Sequence, residues 1–177
     1  GTATASVSVN VTEANEAPLA VANGFGLKLD GEFYSYQQSG GKVPNLTSPA
    51  QVEAIIASRA APDARFVATN VDYGLVTYRD YLGKSGLAAP NKLQEFLKGD
   101  AASLSSDPVD GSDAIIRLTG SLDIKPGTYQ FRVTADDGFS IRLDGQVVAE
   151  VPVNQSPTTT EFAEFTVTEG GTLPLEI

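Results

Sequence analysis

The chain contains no cysteine, histidine, methionine or tryptophan. Without cysteine there is no disulfide framework and no thiol nucleophile. Without cysteine and histidine, zinc and the softer metals lose their usual ligands. The hard cations bound by oxygen, calcium and magnesium, remain. A Ser-His-Asp triad is excluded by the same lack of histidine. No apolar run approaches the roughly 20 residues that span a bilayer. There is no signal-peptide pattern. Gly1 in place of an initiator Met reads as the start of a segment from a longer chain, with any targeting signal elsewhere. Basic residues are few, 12 against 22 acidic, for a net charge of -10. That balance repels nucleic acid and anionic membrane surfaces and favours divalent cations. What is present suffices for a fold: 177 residues, 41% of them hydrophobic, can bury a real core in one domain.

Two adjacent carboxylates, Asp136 and Asp137, stand out against this background. Before them, Tyr129, Phe131, Val133 and Ala135 alternate with polar residues. After them, Phe139, Ile141 and Leu143 do the same. Alternation with period two predicts half-buried strands, here expected as two strands of one sheet. Consecutive side chains on a strand point to opposite faces, so a continuous strand could not bring both carboxylates to one site. Gly138 gives the backbone freedom to break there. A plain Asp-Asp-Gly turn is one reading. In the other, a cis Asp136–Asp137 peptide turns both carboxylates the same way, and a hard cation held by both is the natural occupant.

The remaining segments read as scaffold. Ser48-Pro-Ala-Gln51 is a capping-box start, and Val52, Ile55 and Ile56 follow at helical spacing, which predicts a core-facing stripe. A second short helix is expected over 91–98, with Leu93, Phe96 and Leu97 buried and Gly99 as its stop. Arg65–Thr69 reads as a strand. The tyrosines of Asp72–Tyr81 could stack on sugar faces or be partly buried. Asp144-Gly145 is a hairpin turn leading into a strand over 146–153. Residues 154–157 form a loop, and strands over 161–168 and 172–177 close the chain. The pairs Asp72 with Asp80 and Asp107 with Asp110 carry no pocket signature and read as surface groups. Asn23-Gly-Phe-Gly26 lacks the third glycine of a dinucleotide fingerprint. Glycoside hydrolysis needs carboxylates far enough apart to flank a substrate, which adjacent residues are not. No enzymatic activity is expected.

The segments carrying a family resemblance come in order. They are Leu93-Gln-Glu-Phe-Leu97, Asp100-Ala-Ala-Ser-Leu104, Ser112–Ser121, Lys125-Pro-Gly-Thr-Tyr-Gln-Phe-Arg132, Ala135-Asp-Asp-Gly-Phe139, Leu143-Asp-Gly145 and Phe165–Gly171. Together they resemble the PA-fourteen domain, a β-rich module named after protective antigen and found in flocculins, fungal adhesins, glycosidases and giant bacterial adhesins of the RTX type. The resemblance implies a mainly β fold, an antiparallel β-sandwich with two short helices. In lectin members, two adjacent aspartates joined by a cis peptide hold a calcium ion that binds sugar hydroxyls. Carried over residue by residue, this reaches Asp136 and Asp137 as calcium ligands and, through calcium, as the sugar-binding residues. The first segment is different. Val7–Thr12 alternates like the last strand of an immunoglobulin-like or cadherin-like repeat, and Asn15-Glu-Ala-Pro18 resembles the linker closing such repeats. Glu16 there is either a calcium ligand or a solvated linker residue. Residues 1–18 are therefore expected to end a preceding repeat, and 19–177 to form the lectin domain.

The resemblance implies a calcium-dependent lectin module of a bacterial surface adhesin, extracellular and monomeric within a long multidomain chain, with cell-surface glycans as partners. Lectin members draw further calcium ligands from a loop beyond the final strand present here, so the domain is expected to continue past Ile177. Two other readings stay open. One is a structural or protein-binding spacer with a structural calcium site, and the other is an accessory domain of a glycosidase. The sequons at Asn10, Asn45 and Asn154 would matter only in a eukaryotic secretory route.

Overall fold

A computed structural model describes residues 8–13, 27–36, 46–73, 92–106, 108, 114–135 and 137–177. In chain order the elements are β1 (Ser8–Glu13), β2 (Leu29–Ser35), α1 (Pro49–Ser58), β3 (Ala64–Ala68) and α2 (Lys92–Leu97), then a 3-10 helix (Lys98–Ser103). They continue with β4 (Ala114–Ile124), β5 (Gly127–Ala135), β6 (Phe139–Leu143), β7 (Gln146–Val151), β8 (Thr158–Glu161), β9 (Phe165–Val167) and β10 (Gly171–Glu176). The strands form two antiparallel sheets. In the first, β5 has β1 on one side and both β8 and β9 on the other. The second runs β3-β2-β4-β10-β6-β7.

The alternation that predicts these strands also builds the core. Tyr129, Phe131, Val133 and Ala135 of β5 are buried. They belong to one cluster with Leu29 and Phe33 of β2, Leu118, Leu122 and Ile124 of β4, Ile141 and Leu143 of β6, and Leu175 of β10. A sandwich forms because each sheet has one apolar face to bury. Each such side chain contributes roughly 1.5–3 kcal/mol when removed from water. Phe165 extends the stack, its ring parallel to Phe131 with centroids 5.5 Å apart. The β6–β7 hairpin turns at Asp144 and Gly145 with φ of 51° and 74°, the two positive values of the tight turn that matches strand twist.

Several local expectations give way to tertiary context. The cap of α1 is as predicted, with Gln51 N donating to Ser48 Oγ at 3.4 Å and Thr47 N to Gln51 Oε1 at 2.7 Å. Its stripe is not core: Val52, Ile55 and Ile56 are only half-buried and stand apart from the cluster. The stripe of α2 is core, with Leu93, Phe96 and Leu97 at most 2% exposed. The left-handed residue after α2 is Lys98, φ 54°, rather than Gly99. The Lys98 ammonium donates to the Asp72 carbonyl and faces the Asp72 carboxylate at 3.7 Å. The single strand expected over 161–168 is two, β8 and β9. Between them the ladder is interrupted but Phe162 still holds to β5, with Phe162 N donating to Phe131 O at 2.9 Å and Gln130 Nε2 to Phe162 O at 2.8 Å. β1 forms where alternation predicts a strand and runs along β5, from Ser8 opposite Thr134 to Glu13 opposite Tyr129. Glu16, the Pro18 linker, Tyr78, Tyr81, Asp80, Asp107 and Asp110 lie outside the described residues. Among the described residues no helix is long and apolar enough to cross a membrane.

Asp100 is a charged group inside this fold, 8% exposed. Its carboxylate accepts from Thr69 N at 3.0 Å, Thr69 Oγ1 at 2.5 Å, Asn70 N at 3.5 Å and Tyr73 OH at 2.9 Å. These bonds join the end of β3 to the 3-10 helix. Burial pushes the Tyr73 phenol well above its usual pKa, and its hydrogen bond to Asp100 adds to the shift. Tyr73 is therefore a core residue, packed 5.2 Å from the Phe96 ring, and has no exposed face for a sugar. Removing the hub leaves several inward donors unpaired. Asp100→Ala should lose about 2–4 kcal/mol of unfolding free energy, while Tyr73→Phe, which loses one bond, should lose about 1 kcal/mol. Urea unfolding of the two variants checks the order.

Candidate functional site

The strand break predicted at the aspartate pair is present: β5 ends at Ala135 and β6 begins at Phe139. The expectation that both strands share a sheet is not met. β5 belongs to the first sheet and β6 to the second. The link from Ala135 to Phe139 is therefore an arch between the two sheets at the edge of the sandwich, not a hairpin. A second crossing runs beside it in the opposite direction. β7 pairs with β6, with Val151 opposite Phe139, and β8 pairs with β5, with Thr158 opposite Ala135. Residues 152–157 must therefore pass from the second sheet back to the first next to the acidic arch.

The two arches touch closely. A Cβ at Gly138 would lie 2.5 Å from the carbonyl oxygen of Val151 and 2.8 Å from that of Val153. Only glycine lets the backbones approach this far. Beyond Gly138 the exit is anchored by Phe139, whose ring meets Phe162 edge-to-face at 5.7 Å.

Asp137 sits half-buried in the arch. Its Oδ1 accepts from Gln155 N at 3.2 Å. Among the described residues no lysine or arginine pairs with it. Burial raises its pKa from its ordinary value, and the Gln155 N–H opposes that rise. Asp136 lies outside the described residues. The acceptors brought to this edge are the Asp137 carboxylate and the carbonyls of Ala135, Asp137, Val151 and Val153. All are hard oxygen donors, the set that suits calcium. A partly desolvated carboxylate without a cationic partner is the group a bound cation would relieve. Among the described residues no three acidic side chains converge, so a cation here would rely on backbone oxygens together with the aspartates.

An open cavity of ≈ 470 Å³ lies elsewhere, between β3, α2 and the 3-10 helix, with Asn70, Asp72 and Lys98 on its wall. Asp100 also lines it, with its oxygens engaged by the hub already described. Gln155 is a residue that sequence reading missed. It stands in a polar loop, and no periodicity or motif marks it.

No protein-family model matches the chain, and no curated protein matches it. Two solved structures do. One is a PA14 sugar-binding domain from an RTX adhesin, 45% identical, covering 85% of this chain and 81% of that chain with a TM-score of 0.70. The other is the PA14 domain of the MpAFP antifreeze protein, 36% identical, covering 93% and 78% with a TM-score of 0.71. With this identity over this length, the chain belongs to the PA14 family.

The raised pKa of Asp137 fixes the sign of a pH effect. A carboxyl with a higher pKa folded than unfolded binds more protons in the folded state, so its contribution to stability falls as pH rises through that window. The penalty is fully present above the folded pKa and absent below the unfolded one. In chelator, Asp137→Asn should therefore melt at or above wild type at pH 7. Its advantage should shrink as pH falls through the carboxylate range. Melting curves across pH check this, and a variant less stable at pH 7 with no pH trend would contradict it.

Proposed function

We propose that the chain is a calcium-dependent carbohydrate-binding module of a bacterial cell-surface adhesin, without catalytic activity. The supporting observation is the acidic arch: a half-buried Asp137 carboxylate, with no ion-pair partner among the described residues, beside carbonyl oxygens at the edge of a PA14 fold. The PA14 neighbour from the RTX adhesin is named as sugar-binding, which supports glycans as the ligand class and a surface location. In this reading Asp136 and Asp137 hold calcium and, through it, present the site to sugar. Bound calcium would supply exchangeable coordination positions that a pair of neighbouring hydroxyls fills in place of water. The aspartates hold the charge, the arch carbonyls add neutral oxygens, and Gly138 keeps the second arch close. The hydroxyls stay neutral, so one oxygen ligand replaces another. A single site should then bind in the high micromolar to millimolar range, roughly -4 to -6 kcal/mol.

Calorimetry of wild type against the Asp136→Asn, Asp137→Asn double variant should show a calcium isotherm only in the former. Glycan binding, measured on the chain extended past Ile177, should require calcium, vanish with chelator and survive moderate salt because no net charges pair. Identical calcium isotherms would sink the cation site. Calcium binding without any glycan binding would leave a structural spacer.

Residues 1–18 are assigned, in the same proposal, to the end of a preceding repeat and its linker. The pairing of β1 with β5 competes with this boundary. Deleting residues 1–18 should leave the melting temperature unchanged, whereas a clear drop would assign β1 to the PA14 domain.

A further inference from the structure

The arch spanning 152–157 is exposed at every position except one. Pro152, Val153, Asn154, Ser156 and Pro157 face solvent, and Gln155 is turned inward. An inward side chain in an exposed loop is ordinarily apolar, so a glutamine needs a polar reason. Its bonds supply one. The backbone N donates to Asp137 Oδ1 at 3.2 Å, and the side-chain Nε2 donates to Ala135 O at 3.1 Å and to Asp137 O at 3.4 Å. The two carbonyls belong to the peptide planes on either side of the 136–137 pair. Each plane is rigid, and only φ and ψ turn between them. With the backbone N–H on its carboxylate and the side-chain amide on its carbonyl, Gln155 restricts how Asp137 can turn, and so the direction of its side chain.

We propose that Gln155 is a positioning residue for Asp137: its backbone N–H holds the carboxylate, its amide holds the carbonyls of Ala135 and Asp137, and together they prepare that carboxylate for a divalent cation. This rests on the calcium reading of the preceding subsection. The effect is preorganisation. A site whose ligands are already oriented loses less freedom on binding. Ala135 is 1% exposed and Asp137 is half-buried, so losing the amide costs some folding stability as well. Because its bonds converge on Asp137, cation affinity should fall further than folding stability when it is removed.

The test uses Gln155→Met, which keeps the length and volume of the side chain and removes its donors, with Gln155→Asn as a shorter amide and Asp137→Asn as control. Calcium affinity is measured by calorimetry on the chain. Melting temperature and amide hydrogen exchange of residues 137–139 and 155 are measured in chelator. Gln155→Met should weaken calcium about tenfold or more, equivalent to about 1.4 kcal/mol, and speed exchange at the arch while lowering the chelator-state melting temperature only slightly. Gln155→Asn should fall between Met and wild type. Wild-type affinity in Gln155→Met, with calcium binding lost in Asp137→Asn, overturns the role of Gln155 and leaves the calcium site standing. A chelator-state melting temperature that falls in step with affinity makes Gln155 a general staple and also overturns the positioning role. Equal calcium binding by wild type and Asp137→Asn overturns the site and the inference together.

Discussion

The acidic arch exists because β5 and β6 lie in different sheets. Their inward faces, Phe131 and Val133 on one side and Ile141 and Leu143 on the other, are buried in a common core. That burial fixes how far apart the strands must stand and how short the link between them can be. The link from Ala135 to Phe139 therefore joins two sheets and cannot be a hairpin. It crosses the edge of the sandwich, where the second arch already runs. The close approach at Gly138, the inward turn of Gln155 and the desolvation of Asp137 all follow from this crossing. The core comes first, and the polar geometry at its edge is a consequence.

Two aspartates illustrate how differently one fold can treat the same side chain. Asp100 is more deeply buried, yet its oxygens accept from Thr69, Asn70 and Tyr73. A buried carboxylate supplied with that many donors stabilises the connection it makes, and removing it would leave those donors unpaired. Asp137 is less buried, and among the described residues it receives one backbone donor, with burial the larger influence on its pKa. The first is well supplied with donors, whereas burial raises the pKa of the second and only one N–H opposes it. Groups of the second kind gather at functional sites, where a ligand offsets the cost.

Much of the architecture was legible because alternation is local. The burial of β5 at Tyr129, Phe131, Val133 and Ala135, the turn at Asp144-Gly145 and the break before Phe139 can each be read from a few neighbouring residues. Sheet membership is not local. Nothing in Ala135-Asp-Asp-Gly-Phe139 distinguishes an arch from a hairpin, since both need a break and a flexible residue. The stripe of α1 misled for a related reason: Val52, Ile55 and Ile56 have helical spacing, but spacing does not say whether a sheet lies beneath. Of the candidate site, the position of Asp137 at a break was legible. Its partners were not, because Gln155 and the Val151 and Val153 carbonyls come from a strand end and a loop that the fold alone brings near.

This separation between core and edge bears on how such a module can vary. Loops that join packed strands at one end of a sandwich can change residues without disturbing the cluster beneath them. Here both arches hang from strands whose registers are fixed by pairing on each side, Ala135 opposite Thr158 and Phe139 opposite Val151. The backbone that carries the carboxylate is therefore held by many ladder hydrogen bonds, while the bonds that aim it are few and belong to one glutamine. Under the proposed reading, a change at position 155 would alter aim more than architecture. If the module acts in many weak copies, as that reading has it, small changes in the affinity of each copy multiply, and the second arch is where binding strength could be tuned while the fold stays the same.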